Sequence, residues 1–270
     1  MQEQARARFS RIKIWPRSGS STKAIPFTIQ TLNDQRRQHD RREESEMPQL
    51  GEVMKILDDW VSRHGDGKYS HPEVTPLLNY AVMPDSGIQQ ERREIQSFVE
   101  VLLDKKLNAT ALEIGLGFFG STHFLWRQIF KQVVSIETSN DRVRAFGANT
   151  REYFGKWILD DGQSAFLIGS SHDPATVGKA YGFFKEKVDL LFIDGDHSYN
   201  GVLTDWLLYQ GLVRPGGIVA FHDCALNIPG YYFMPQFIQN LKEGKIDGTP
   251  RPMREIVFSK NLGIAWYEQV

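Results

Sequence analysis

From Thr110 onward the chain alternates short apolar runs with helical stretches, and this rhythm constrains its fold more than any other feature. The runs are 111–114, 133–137, 165–168, 188–193 and 217–221, and helical patterns over 120–130, 141–154, 174–185 and 200–212 lie between them. Strands joined through helices run parallel with right-handed crossovers, so these units predict a mainly parallel, doubly wound α/β sheet of the Rossmann-like kind. The carboxyl end breaks the rhythm. Residues 254–259 and 262–268 read as two strands about a tight turn at Lys260 and Asn261, an antiparallel hairpin. Upstream, Val53, Ile56, Leu57, Trp60 and Val61, and then Ile95, Phe98, Val99 and Leu102, recur at helical spacing. They predict an N-terminal helical cap laid over one edge of the sheet. The chain is thus expected to divide into a basic extension (1–48), a helical cap and lead-in (49–108) and an α/β domain (109–270). With 270 residues, 41% of them apolar, there is enough material to bury such a core.

Charge narrows the partners. A formal net charge of −1 gives no overall attraction to nucleic acid or an anionic membrane. No apolar run approaches the roughly 20 residues needed to span a bilayer. Residues 1–42 differ, with ten Arg and Lys against three Asp and Glu. That composition suits an organelle transit segment, a basic arm for nucleic acid or an extension without a fold of its own. The one cysteine, Cys224, allows no internal disulfide and fits a reducing compartment such as the cytoplasm. A homo-oligomer is compatible with all of this.

The first predicted strand of the α/β domain runs into Glu113-Ile-Gly115-Leu-Gly117-Phe-Phe-Gly120 just before a helix. Glycines there let the backbone turn sharply and let a ligand lie against bare main chain. The pattern suits NAD or FAD as well as other nucleotides, and a turn needed for packing alone would look the same. Glu113, two residues before the first glycine, is placed to meet a cationic amino group rather than a pyrophosphate. Glu137 closes the second strand, twenty residues after Gly117, where a carboxylate can accept both ribose hydroxyls of an adenosine. This spacing indicates adenosine and serves NAD and S-adenosylmethionine equally. The third strand leads into Gly169-Ser-Ser-His-Asp-Pro174, a helix N-cap sequence in which Ser170, Ser171 and His172 could also touch an adenine edge.

The fourth strand ends in Asp194-Gly-Asp196-His197 and the fifth in Phe221-His222-Asp223. Neighbouring parallel strands lie about 4.8 Å apart and end on one rim, the rim where ligands bind. Asp194, His222 and Asp223 can therefore converge, and such side chains can bind a divalent cation such as Mg²⁺ or Mn²⁺. The bland alternatives are that Asp194 bonds the cofactor, Asp223 caps a turn and His222 is a core histidine. Beyond them, 224–237 carries Tyr231, Tyr232 and Phe233, either an acceptor wall above the rim or the buried start of a helix. His64, His71 and His123 join no such constellation and read as structural.

With these motifs in view, the sequence from Gly87 onward resembles the class I S-adenosylmethionine-dependent methyltransferases. Within that class, Gly87-Ile-Gln-Gln90, Ile193-Asp-Gly-Asp-His-Ser-Tyr199, Leu212-Val-Arg-Pro-Gly-Gly217 and Phe221-His-Asp223 resemble the group of macrocin-type sugar O-methyltransferases and proteins labelled cephalosporin hydroxylases. The resemblance implies a seven-stranded sheet ending in an antiparallel hairpin. It implies that Glu113, Gly115 and Gly117 contact the methionine portion, Glu137 the ribose and Asp194 the neighbourhood of the reacting methyl, which with Ser170 and Ser171 read above makes up the expected cofactor-binding set. It also implies metal ligands at Asp194, His222 and Asp223. His222 stands where an acid is usual. The implied reaction is O-methylation of a small-molecule or glycan hydroxyl, with Asp194, Asp196 and His197 as catalytic candidates and His197 or Asp196 as base. Two other readings stay open at this point: an NAD-dependent oxidoreductase on a related sheet, and a catalytically silent cofactor-binding module.

Overall fold

The computed structural model describes residues 47–64, 90–117, 119–159, 161–228, 232–258 and 262–270. The basic extension up to residue 46, His71, Gly87 to Gln89, Tyr231 and the predicted turn at Lys260 and Asn261 lie outside them.

Among the described residues, two helices, α1 (Leu50–His64) and α2 (Arg92–Asp104), precede the first strand. Glu91 caps α2, its carboxylate accepting the backbone N–H groups of Arg93 and Glu94. The alternating part then runs β1 (Thr110–Ile114), α3 (Ser121–Trp126), β2 (Gln132–Glu137), α4 (Asn140–Phe154), β3 (Ser164–Ile168), α5 (Pro174–Phe183), β4 (Val188–Ile193), α6 (Tyr199–Tyr209) and β5 (Val213–His222). Side-chain caps start three of these helices, with Ser139 before α4, Asp173 before α5 and Ser198 before α6. The chain ends with a two-stranded ribbon, β6 (Asn227–Ile228) and β7 (Tyr232–Phe233), then α7 (Met234–Lys242), β8 (Arg254–Ile256) and β9 (Ile264–Glu268).

Seven strands form one sheet in the order β3-β2-β1-β4-β5-β9-β8. The first five pair in parallel, β9 is antiparallel to β5, and β8 is antiparallel to β9. The order reverses between β1 and β4, which opens a crevice at the carboxyl ends of those two strands. Alternate residues of each strand feed two apolar layers. Ala111, Val133, Phe192 and Trp266 face a layer that includes α1, α2, α3 and α4, while Leu112, Val134, Ile193 and Tyr267 face one that includes α5, α6 and α7. Among the described residues no helix is long and apolar enough to cross a membrane.

Three expectations about element placement change. The cap helices cover a face of the sheet rather than an edge, because the apolar stripes of α1 and α2 enter the same core as Leu190 and Phe192. The Trp60 ring stacks on Phe124 with centroids 4.1 Å apart, and its indole N–H donates to Ser121 Oγ at 3.1 Å. The helix predicted over 120–130 stops at Trp126, and the Gln163 side-chain amide donates to the carbonyls of Arg127 and Phe130. The terminal hairpin is not tight, since its strands end at Ile256 and begin again at Ile264. The connecting backbone is tied down by Glu94 of α2, whose buried carboxylate accepts the N–H groups of Phe258 and Gly263, each at 2.9 Å.

Candidate active site

A cavity of about 340 Å³ opens at the crevice where the strand order reverses. That volume is within the range of small-ligand sites. One wall is the turn after β1. Gly115 has φ +93° there, and a Cβ at this position would lie 2.2 Å from the Asp194 carbonyl oxygen. Only glycine allows the turns after β1 and β4 to approach so closely. Gly117, at φ +68°, has open space where a Cβ would stand, and it borders the cavity.

Glu137 is 3% exposed and also lines the cavity. Its Oε2 accepts the N–H of Leu116 at 3.1 Å and its Oε1 that of Ser139 at 2.8 Å, so one carboxylate ties the glycine turn to the start of α4. Arg142, one turn into α4, stands 3.5 Å from Oε1 and joins the lining. Ser170, Ser171 and His172 form the opposite wall, and His172 Nε2 is 3.2 Å from Asp205 Oδ1. Asp205 is fully buried, and burial raises its pKa above the usual carboxylate value.

Glu113 does not reach this cavity, contrary to the expectation that its side chain would meet a cofactor amino group. Ile114 lines the cavity, and strand alternation turns Glu113 to the other face of β1. There its carboxyl is completely buried and accepts the Ser135 hydroxyl at 2.6 Å. Ser135 Oγ is 2.7 Å from His123 Nδ1, and His123 Nε2 is 2.8 Å from Ser164 Oγ. Arg127 in turn donates to Ser164. The chain of bonds is consistent with a neutral His123 protonated on Nδ1. Burial pushes the Glu113 carboxyl up to about 8 and holds His123 well below its ordinary value. His123 is therefore structural, as its sequence context suggested.

At the end of β4 and β5 four side chains meet. Donor atoms of Asp194, His197, His222 and Asp223 all lie within 4.8 Å of one another. His222 Nδ1 is 3.1 Å from Asp194 Oδ1 and 3.2 Å from Asp223 Oδ1. His197 Nε2 is 3.3 Å from Asp194 Oδ1 and 3.2 Å from Asp223 Oδ2. Asp223 adopts φ +55°, a left-handed conformation that costs an aspartate energy and is common where a site over-determines the backbone. Burial opposes charge on Asp194, His197 and His222, yet mutual attraction prevails. Asp223 and Asp194 push His222 up to about 9 and also raise His197, while His222 and His197 hold Asp194 far below the usual carboxylate range.

Asp194 and His197 also line the cavity, so cavity and cluster are continuous. Asp196 borders the cavity too, but it stands outside the cluster and its Oδ1 accepts the N–H of Ser198 at 2.9 Å, closing the turn into α6. Gln90, in the Gly87–Gln90 segment, had no role assigned by its sequence context. It is buried and donates from Nε2 to Asp194 Oδ2 at 3.3 Å. The aromatic segment divides, with Met234 onward helical and the Tyr232 ring edge-on to His197 at 5.8 Å. Arg142 carried no sequence signal. Asp205 carried a faint one, an acid on the apolar helix face shared with Val202 and Tyr209.

Residues 112–224 match a family described as a methyltransferase domain. This span runs from β1 past Asp223 and so contains the glycine turn, Glu137, Asp194 and His222. An uncharacterized protein of Acanthamoeba polyphaga mimivirus is 50% identical over 36 residues, which are 13% of this chain and 16% of that protein's length. Among solved structures, the O-methyltransferase TomG from Streptomyces achromogenes, involved in tomaymycin synthesis and solved with S-adenosylmethionine, superposes with a TM-score of 0.53. It is 13% identical, over 81% of this chain and 90% of TomG. The MycE methyltransferase of the mycinamycin pathway, solved with Mg, S-adenosylhomocysteine and mycinamycin VI, superposes with a TM-score of 0.50 at 18% identity. That match covers 78% of this chain and 54% of MycE. At these identities the likeness is one of fold. The family match is to a methyltransferase domain and not to a dinucleotide oxidoreductase.

Proposed function

We propose that this chain is a class I S-adenosylmethionine-dependent methyltransferase and that it methylates a hydroxyl of a small molecule or sugar, a reading supported by the methyltransferase-domain match over 112–224 and by the fold it shares with TomG. The observation that carries the proposal is the continuity of two features. A cavity bounded by the glycine turn and Glu137 runs into a rim where Asp194, His197, His222 and Asp223 converge. TomG, an O-methyltransferase, and MycE, solved with mycinamycin VI, favour an oxygen acceptor over other methylation chemistries.

S-Adenosylmethionine supplies, when bound, a methyl group on a sulfonium that departs as a neutral thioether, so no side chain has to protonate a leaving group. The protein's tasks are to align the reactants and to remove the hydroxyl proton. Gly115 and Gly117 would offer bare backbone to the methionine portion, Glu137 would offer carboxylate acceptors to the ribose, and Ser170 and Ser171 would border the adenine end. Asp194 stands where cavity and rim cluster join, and there it would lie toward the methyl group to be transferred. His197 is the preferred base over Asp196, because its Nε2 is at the rim beside Tyr232 whereas Asp196 is engaged in its own turn. The donor set of Asp194, His222 and Asp223 fits a divalent cation, since His222 Nδ1 already lies 3.1 Å from Asp194 Oδ1 and 3.2 Å from Asp223 Oδ1, and all of these donors fall within 4.8 Å of one another. Such an ion would lower the pKa of a bound hydroxyl and take up the carboxylate charge now balanced by the imidazoles.

Calorimetry with S-adenosylhomocysteine, followed by a turnover assay over a panel of sugar and phenolic hydroxyls, tests this reading. Glu137→Ala should weaken cofactor binding by about 1–3 kcal/mol, the cost of losing a buried acceptor, whereas Asp194→Ala should abolish turnover. Full activity in Asp194→Ala refutes its assigned place. Cofactor binding without turnover on any acceptor favours the silent-module alternative.

A further inference from the structure

The histidine at 222 bears on which ion the rim can hold. We propose that this cluster selects a divalent transition ion that accepts nitrogen, of the Mn²⁺ or Co²⁺ kind, over Mg²⁺, with His222 Nδ1 as the nitrogen ligand. The inference rests on the reading above only for the purpose the ion serves.

His222 Nδ1 lies 3.1 Å from Asp194 Oδ1 and 3.2 Å from Asp223 Oδ1. An ion about 2.0–2.2 Å from nitrogen and oxygen ligands separates neighbouring donors by about 3.0–3.5 Å. These edges therefore accept a transition ion with little rearrangement. Mg²⁺ demands a near-octahedral shell of oxygen and gives up its water reluctantly, and an imidazole in that shell is a poor exchange. For ions further along the first transition row the imidazole is a favoured ligand, and affinity rises from Mn²⁺ to Co²⁺.

The surroundings hold the donor atoms in place. His222 is 1% exposed, its ring lies 6.3 Å from that of Phe192, and its Nε2 has no hydrogen-bond partner among the described residues. Nδ1 is the ring atom the site engages. Gln90 Nε2 donates to Asp194 Oδ2, which leaves Oδ1 directed at the imidazoles, the kind of outer support that orients metal ligands. His197 Nε2 meets the other oxygen of Asp223, so it can remain a base beside the ion instead of joining its shell.

The full-length protein, stripped with EDTA, is titrated with MgCl₂, MnCl₂ and CoCl₂ by calorimetry, and separately with S-adenosylhomocysteine. Co²⁺ should bind at least about tenfold more tightly than Mg²⁺. Pulsed electron paramagnetic resonance of the Mn²⁺ form should show coupling to one imidazole nitrogen. That coupling should survive His197→Gln and vanish in His222→Asp, and His222→Asp should gain affinity for Mg²⁺. If His222→Asp fails to fold, the wild-type titration and the His197→Gln spectrum still decide. Equal affinity for Mg²⁺ and Co²⁺, or a nitrogen coupling lost in His197→Gln, overturns the proposal. So does a protein that binds S-adenosylhomocysteine and no ion at all, a result that leaves the methyltransfer reading standing. Co²⁺ binding without S-adenosylhomocysteine binding has the opposite meaning: the ion proposal stands and the functional reading fails.

Discussion

Replacing Glu113 by glutamine should stabilise this protein, by an amount that grows with pH. The carboxyl is completely buried, and burial pushes it up to about 8, against 4.5 for an exposed glutamate. Between these values the folded chain holds a proton that the unfolded chain has released. Stability is therefore fully present below about 4.5 and is lost as pH rises toward about 8. One proton of difference amounts to about 1.4 kcal/mol per pH unit, so wild type should lose about 2 kcal/mol between about pH 6 and 7.5 from this group alone. Glutamine keeps the shape and can still accept the Ser135 hydroxyl, but it has no proton to release.

Urea unfolding of both proteins across that window isolates the effect, because the difference between them cancels every other titrating group. The two stability curves should diverge as pH rises, with Glu113→Gln above wild type. Parallel curves, or a variant less stable than wild type at the upper end, would mean that the carboxyl is ionised and satisfied, and the argument from burial would fail. Cofactor binding gives a second readout. Since the side chain does not line the cavity, Glu113→Gln should leave S-adenosylhomocysteine affinity nearly unchanged. A loss of about tenfold, equivalent to about 1.4 kcal/mol, would put the carboxyl back in the cofactor site.

Two further outcomes follow from contacts outside the cavity's chemistry. Glu94→Ala leaves the backbone donors of Phe258 and of buried Gly263 without their acceptor, which should cost about 1–3 kcal/mol and lower the thermal midpoint; an unchanged midpoint would show that the hairpin connection holds itself. Gly115→Ala places a methyl 2.2 Å from the Asp194 carbonyl at a left-handed φ, so it should displace the turn after β4 and abolish S-adenosylhomocysteine binding by calorimetry. Binding at wild-type strength would contradict the close approach of the two turns.

The path of the chain was legible from residue pattern, and the direction of its side chains was not. Parallel strands buried on both faces read as unbroken apolar runs, so β4 and β5 and the rim at their ends could be located from 188–193 and 217–221 alone. That was enough to bring Asp194 together with His222 and Asp223. The same lack of alternation hides which face a residue takes, and this is where Glu113 misled. Its place two residues before Gly115 resembles a ligand position, yet Ile114 faces the cavity and Glu113 the opposite core. His197 entered the cluster for a comparable reason, because the Asp196–Ser198 bond closes a turn that carries it back over Asp194 and Asp223. Gln90 lies 104 residues from Asp194, a separation no local spacing can encode. A glycine turn followed by acids at strand ends therefore identifies where a nucleotide can lie. Which carboxylates border that place depends on how far along its strand each one stands: Glu113 pairs with Ser135 and Phe192, two residues short of Glu137 and Asp194, and only the latter two line the cavity.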